Sequence, residues 1–463
     1  MDTLGVRWTA DQVLALAPDD ASRKAGSKLG TAGPWSGTGT GGEGAVWGLC
    51  RGSGSKPYRT VVDTTGPAYS CSCPSRKFPC KHALGLLLLW AGDAEAFAAG
   101  AEVPDWAATW LTGRRERAAA RTRGAEGTGP AATADPEAAR RRAERRAARI
   151  TSGAEELEQR LADLLRGGLA SAEQAGYALW EETAARMVDA QAPGLAGRVR
   201  ELGAIPGSGP GWPVRLLEEC ALTHLLDRAW LSVDRLPDPL AATVRTRVGL
   251  TAPAEGPSVR DHWLVLAQYD TGDGKLTTRR IWLHGRTTGR TALLLSFGAA
   301  GRAPELALPV GVVVDAALVL HAGAGALRAE LGEQFGAPAP LEAPPRGGTV
   351  GDALTAYGLA LRDDPWLDSW PVTLTDVVPI PTEHGWQLAD AAPGPDTPDA
   401  APGSAPGEAV PLSGAALGRP GLWRLAALSG GGPVTVFGEC GHRGFTPLAA
   451  WSADAPGETV PLH

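Results

Sequence analysis

The sequence predicts a multidomain α+β chain: an N-terminal domain of short strands around a cysteine–histidine cluster, a helical middle domain and a β-rich C-terminal half. Three observations lead there. Twelve residues, CSCPSRKFPCKH at 71–82, hold three of the six cysteines and one of the eight histidines. Apolar residues recur at helical spacing from 151 to about 232, and from His262 the period changes to two. The 463 residues suffice for roughly two to four domains with separate cores.

Thr9 and Gln12 form a capping-box pattern before DQVLALA, so a helix starts there. GTAGPWSGTGTGGEG reads as a glycine-rich loop. AVWGLC (45–50), YRTVVD (58–63) and AYSCSC (68–73) are apolar or β-branched runs between turn residues and read as strands. After His82, ALGLLLLW is too uniformly apolar for an exposed helix, and Gly92 offers it a stop. This domain is expected over 1–112, its last helix beginning near Asp105.

Residues 113–150 read as a basic helical linker, with GAEGTGPAATADP (124–136) as a flexible stretch and Glu137–Arg141 as an ion pair at helical spacing. Ser152 and Glu155 suggest a second capping box opening a helical domain over 151–235. Leu157, Leu161, Leu164 and Leu165 mark its first face; Tyr177, Trp180, Ala184, Met187 and Val188, then Leu195, Val199 and Leu202, repeat the spacing.

Residues 236–463 read as a β-rich acidic region with a mobile Pro/Ala/Gly insert at 391–408. WLVLAQYD and LTTRRIWLHG flank a hairpin with Asp273–Gly274 at its tip. RTALLLSFG, VGVVVDAALVLH, WPVTLTDVV, LWRLAAL and PVTVFG continue the strand-like series.

The formal charge of −7 hides a split, because residues 111–150 carry eleven Arg against five acids, net +6, leaving −13 elsewhere. A basic segment in an acidic protein is expected, not a uniformly basic nucleic-acid binder. MDTLGVRWTADQV lacks the pattern of a secretory signal, and the longest apolar segment is interrupted by Pro309 and Asp315. A soluble, cytoplasmic protein is expected, and in a reducing compartment clustered cysteines favour metal over disulfides.

In a strand, residues i and i+2 share a face, so Cys71 and Cys73 can aim both sulfurs at one point. Cys80 and His82 repeat that spacing at the entry to a helix, and PSRKFP between them leaves room to turn back. Three thiolates and an imidazole satisfy tetrahedral Zn²⁺. Arg76, Lys77 and Lys81 would offset its residual negative charge. A redox pair would leave Cys80 and His82 unused, so one structural zinc on Cys71, Cys73, Cys80 and His82 is the expectation. With four protein ligands no position stays open for water, so hydrolysis at the metal is not expected.

C-x-C, a short loop and C-x-H resemble the SWIM zinc finger at all four ligands, and the flanks agree, with strands before the first cysteine and a helix at the histidine. The resemblance is to bacterial SWIM zinc finger proteins, through KPYRTVVD, LGLLLLW and, further on, ARMVDAQAPGLA. It implies a DNA- or protein-binding module, since SWIM modules occur beside chromatin-remodelling-type ATPases and transposases.

Other patterns carry less. Gly37, Gly39 and Gly42 spell G-x-G-x-x-G without the strand and helix of a dinucleotide site, and Walker A, H-E-x-x-H and G-x-S-x-G are absent. Cys220 with His224 on one helical face reads as core, Cys440-Gly-His442 as a turn and Cys50 as a buried thiol. Trp90, Trp106 and Trp110 fall in apolar patterns and read as core. No catalytic residues and no small-molecule substrate are expected. The sequence favours a non-enzymatic adaptor for a protein partner; the alternative is a DNA- or RNA-binding protein gripping phosphates with the finger and helices over 114–149. Candidate contacts are Arg76, Lys77, Lys81, Arg114, Arg115, Arg140, Arg141 and Arg145.

Overall fold

In a computed structural model the described residues are 7–463 except 18–19, 42–43, 53, 55, 66–67, 76, 78, 127–135, 171, 173–175, 251–257, 273–275, 300–303, 305, 322–326, 337 and 392–406. The hairpin tip at Asp273–Gly274 and nearly all of the 391–408 insert fall outside them.

The N-terminal domain is a five-stranded sheet in the order β4-β3-β2-β1-β5, formed by β1 (Trp35–Gly41), β2 (Ala45–Cys50), β3 (Tyr58–Asp63), β4 (Ala68–Cys71) and β5 (Ala98–Ala99). Helices α1 (Ala10–Ala15), capped by the Thr9–Gln12 box, and α2 (Asp20–Ser27) pack on α3 (Lys81–Gly92). Helix α3 covers one face of the sheet and buries Leu84, Leu86, Leu87 and Leu89 completely. The middle of the glycine-rich segment is strand β1, not a loop. Its glycines let the strand pass under the Trp47 ring, since a Cβ on Gly39 would come within 2.5 Å of that ring. The other face packs on α4 (Asp105–Glu126), where Ala107 and Leu111 meet Trp47 and Val61.

The helices described next are α5 (Pro136–Gly167), α6 (Gly176–Asp189), α7 (Pro193–Ala204), α8 (Trp212–Leu231) and α9 (Asp238–Val248). The expected start at Ser152, and the expected division at 150/151, lie inside α5. Ile150, Ala154, Leu157 and Leu161 continue one buried stripe through that point, so packing overrides the local capping signal. Gln191 takes a left-handed conformation (φ 61°) and Pro193 opens α7, which turns the APGL stretch into a tight helical hairpin. Helix α9 contributes Val244 and Val248 to the same core.

The C-terminal half holds two β-units. Strands β6 (Ser258–Gly272), β7 (Leu276–Gly285), β8 (Thr291–Ala299), β9 (Val312–Leu320) and β10 (Arg328–Gln334) close on themselves, with β11 (Ala339–Pro340) added to β9. Strand β10 pairs in parallel with β8 (Arg328↔Leu293) and antiparallel with β9 (Ala329↔Leu320), while β6 pairs with β7 and β9. The result is a five-stranded Greek-key barrel with one parallel pair, the arrangement of the OB barrel. Trp263, Val265, Ile281, Leu294 and Val314 belong to its core.

The second unit runs α10 (Val350–Asp363), β12 (Ser369–Thr382), β13 (Gly385–Asp390), β14 (Ala409–Pro411), α11 (Gly414–Leu417), α12 (Pro420–Ser429), β15 (Val434–Gly441), β16 (Gly444–Ser452) and β17 (Val460–Pro461). Its antiparallel sheet, ordered β14-β13-β12-β15-β16-β17, packs one face on the helices and puts Phe437, Leu448 and Trp451 of the other against Leu264, Trp282 and Leu293 of the barrel. LWRLAAL is helical, not a strand. Pro420 opens α12, Gly430 closes it in the left-handed region, and Leu422 and Leu425 bury a helical face.

The units touch one another. Ala307 of the barrel enters the N-terminal core, Trp366 enters the bundle core and donates to the Leu222 carbonyl at 2.9 Å, and Arg247 reaches Asp364 at 2.7 Å. Among the described residues no helix is long and apolar enough to cross a membrane.

Candidate metal centre

Cys71 is the last residue of β4, opposite Thr60 of β3. Cys73 lies in the bend beyond the strand, not within it: Ser72 still donates to the Arg59 carbonyl at 3.0 Å, but Pro74 has no N–H with which to extend the ladder. Cys80 is the N-cap of α3, and His82 sits in its first turn. An edge strand and a helix start thus deliver two donors each to one point.

The four donor atoms all lie within 4.8 Å of one another. The His82 Nδ1 is 3.7 Å from the Cys71 sulfur and 4.0 Å from the Cys80 sulfur. Tetrahedral zinc with Zn–S near ~2.3 Å and Zn–N near ~2.0 Å puts its donors roughly 3.6–3.8 Å apart, so the spacing fits with small adjustments. Cys80 and His82 are buried, whereas Cys71 and Cys73 are half-buried.

The charge balance makes the same point. Without a cation the three thiols do not ionise alike. Cys71 is pulled down to about 4, chiefly by its hydrogen bond with Cys80. Cys80 is pushed up by that bond and by burial, and Cys73 is pushed up by burial. Three thiolates here need a divalent cation to offset them. Donors to the sulfurs are in place: the Thr60 hydroxyl lies 3.3 Å from Cys71, and the Ala83 N–H donates to Cys80 at 3.5 Å from the N-terminus of α3. The Tyr58 ring lies against His82 with centroids 4.8 Å apart and fixes its plane. Sequence reasoning missed Tyr58 and Thr60, whose roles depend on the pairing Cys50↔Tyr58 and Thr60↔Cys71.

The cluster is therefore a closed, structural Cys₃His site for one Zn²⁺, and the domain around it is a zinc finger. Residues 58–91 match the SWIM zinc finger model, and residues 145–248 match the SWIM-associated four-helix bundle domain. Over these two stretches the chain is similar to SWIM-type zinc finger proteins. No curated protein and no solved structure matches it at a significant level.

The other predicted residues separate. Arg76 lies outside the described residues, while Lys77 and Lys81 are exposed beside the site. Arg114 reaches inward to Asp63 at 2.9 Å and ties α4 to β3. Arg140 lies 3.4 Å from Glu144 and Arg141 3.5 Å from Glu137 along α5; Arg115 and Arg145 are exposed. The structure does not gather these arginines at the finger. Cys50 is wholly buried in the N-terminal core, and burial pushes its thiol up to about 11. Cys220 is buried in the bundle, whereas His224 on the same helix is exposed, 3.8 Å from Glu158. Cys440 is buried and His442 meets the Tyr357 hydroxyl at 3.1 Å. Trp90 packs edge-on against Trp8, with centroids 6.0 Å apart, and Trp106 and Trp110 are half-buried against the sheet core.

Proposed function

We propose that the chain is a non-enzymatic adaptor whose zinc finger presents a rigid surface to a protein partner. The observation that carries this reading is the closed coordination set: four protein donors leave the metal no vacant position for substrate or water, so its work is to hold β4 and α3 together. Around it Arg51, Lys56, Lys77 and Lys81 are exposed, which suits a charged partner.

A second reading, nucleic-acid binding, draws on the OB-type barrel, whose second and third strands form the oligonucleotide platform in other barrels of this kind. Here Phe297 of β8 is 50% exposed, but Trp282 and Leu293 of the same face are covered by the C-terminal sheet. Within α5 the paired Arg140 and Arg141 also weaken a phosphate-gripping role. Affinity purification of the intact chain with mass spectrometry, with and without nuclease, separates the readings. Partners that survive nuclease support the adaptor; partners that vanish with it, together with steeply salt-dependent binding to DNA or RNA, refute it.

A further inference from the structure

Beside the finger, between α2 and the loop after β4, runs a groove of about 520 Å³. One wall is apolar and of small relief, from Ala21, Ala25 and Leu29; Pro74 faces it from the finger. Arg51 and Lys81, both exposed, supply the charge, and no carboxylate lines the groove among the described residues. Cys73 and His82 of the metal centre form part of its lining as well, and the N-terminus of α3, already turned to the Cys80 sulfur, begins there.

We propose that this groove receives an extended acidic segment of a protein partner, with small apolar side chains against Ala25 and Leu29 and carboxylates against Arg51 and Lys81. This deepens the adaptor reading and rests on it. The volume suits a few residues of peptide, and two cations flanking an apolar wall select carboxylates spaced along an extended chain. A nucleic-acid strand fits the same lining poorly. Strand binding needs a row of cations and free aromatic faces, whereas Tyr58 is committed to His82. The nearby Arg59 opens on a different depression, which it shares with Glu102 and Asp105.

The test is selection of random peptides displayed on phage against the immobilised, zinc-loaded full chain, counter-selected on the double variant Arg51→Glu, Lys81→Glu. Zinc content and thermal melting of each variant show that it is folded. A second variant, Ala25→Phe, narrows the groove without altering its charge. The expected result is enrichment of sequences rich in Asp and Glu with small apolar residues between them. Their affinity should fall about tenfold or more in both variants and weaken as salt rises. Enrichment of neutral or basic sequences, none at all, or equal binding to the variants would overturn the proposal. So would labelled oligothymidylate that binds the wild type and is lost from the double variant. If nuclease-resistant partners still co-purify with the double variant, the groove fails while the adaptor reading stands; if the wild type has none, the adaptor reading itself fails.

Discussion

The finger domain and the helical bundle solve the same problem by opposite means. In the bundle, buried side chains from Ile150 to Trp366 make one continuous apolar core, and among the described residues no cluster of metal-ligating side chains lies in it. In the finger, the leucines of α3 supply apolar burial on one side, but β4 is a four-residue edge strand with no fully buried residue. What anchors that edge is the set of four donors shared with the start of α3. The difference teaches where each unit is vulnerable: the bundle to loss of volume, the finger to loss of a cation.

The largest effect should follow metal removal. Chelation of Zn²⁺, or Cys73→Ser, is expected to unfold residues 40–95 while the bundle stays helical. Structural zinc contributes about 10–16 kcal/mol in small fingers, more than a domain of this size can spare. Limited proteolysis with and without chelator checks this, and an unchanged digestion pattern in the finger would break the contrast. Acid should act in the same direction, since protons compete with zinc for thiolates and imidazole.

Leu157→Ala is the converse experiment. The side chain is 1% exposed in the bundle core, so truncation should cost about 2–5 kcal/mol and lower the bundle's melting temperature without changing zinc content. If zinc were lost as well, the two units would not be independent.

Asp227 of α8 sharpens the comparison further. It is fully buried, neither carboxylate oxygen has a hydrogen-bond partner among the described residues, and burial, aided by Glu158, pushes it up to about 8. The folded state thus holds a proton that the unfolded chain, with its value near 3.8, has released. Bundle stability is full below that lower value and falls as pH rises toward 8, by on the order of a few kcal/mol. Asp227→Asn should flatten the melting temperature between pH 5 and 8, and a wild-type bundle insensitive to pH would contradict this.

The smallest effect belongs to Arg114→Ala. It breaks the ion pair with Asp63, whose carboxylate also accepts from Thr65, and should destabilise the N-terminal domain by about 1 kcal/mol or less in a chemical denaturation curve.

The same contrast explains which features could be read from residues alone. The finger is written locally: donors within twelve residues, prolines at both ends of a loop, and three strands bounded by turn residues at the observed positions within a residue or two. The barrel is written at long range. Its closure depends on β10 meeting both β8 and β9, and RAELGEQ carries too few apolar residues to announce a strand. At LWRLAAL the flanking Pro420 and Gly430 were helix signals that a strand-like apolar run obscured. The capping pattern at Ser152 misled because a local hydrogen bond is weak beside a buried stripe continuing through both of its sides. Thr60 and Tyr58 could not be assigned to the metal without the strand register.

X-ray absorption at the zinc edge of the purified chain tests the centre most directly. The expected spectrum has three sulfurs near ~2.3 Å and one nitrogen near ~2.0 Å around one zinc per chain, with a sulfur lost in Cys73→Ser. A chain purified without zinc, or a shell dominated by oxygen, would contradict the account.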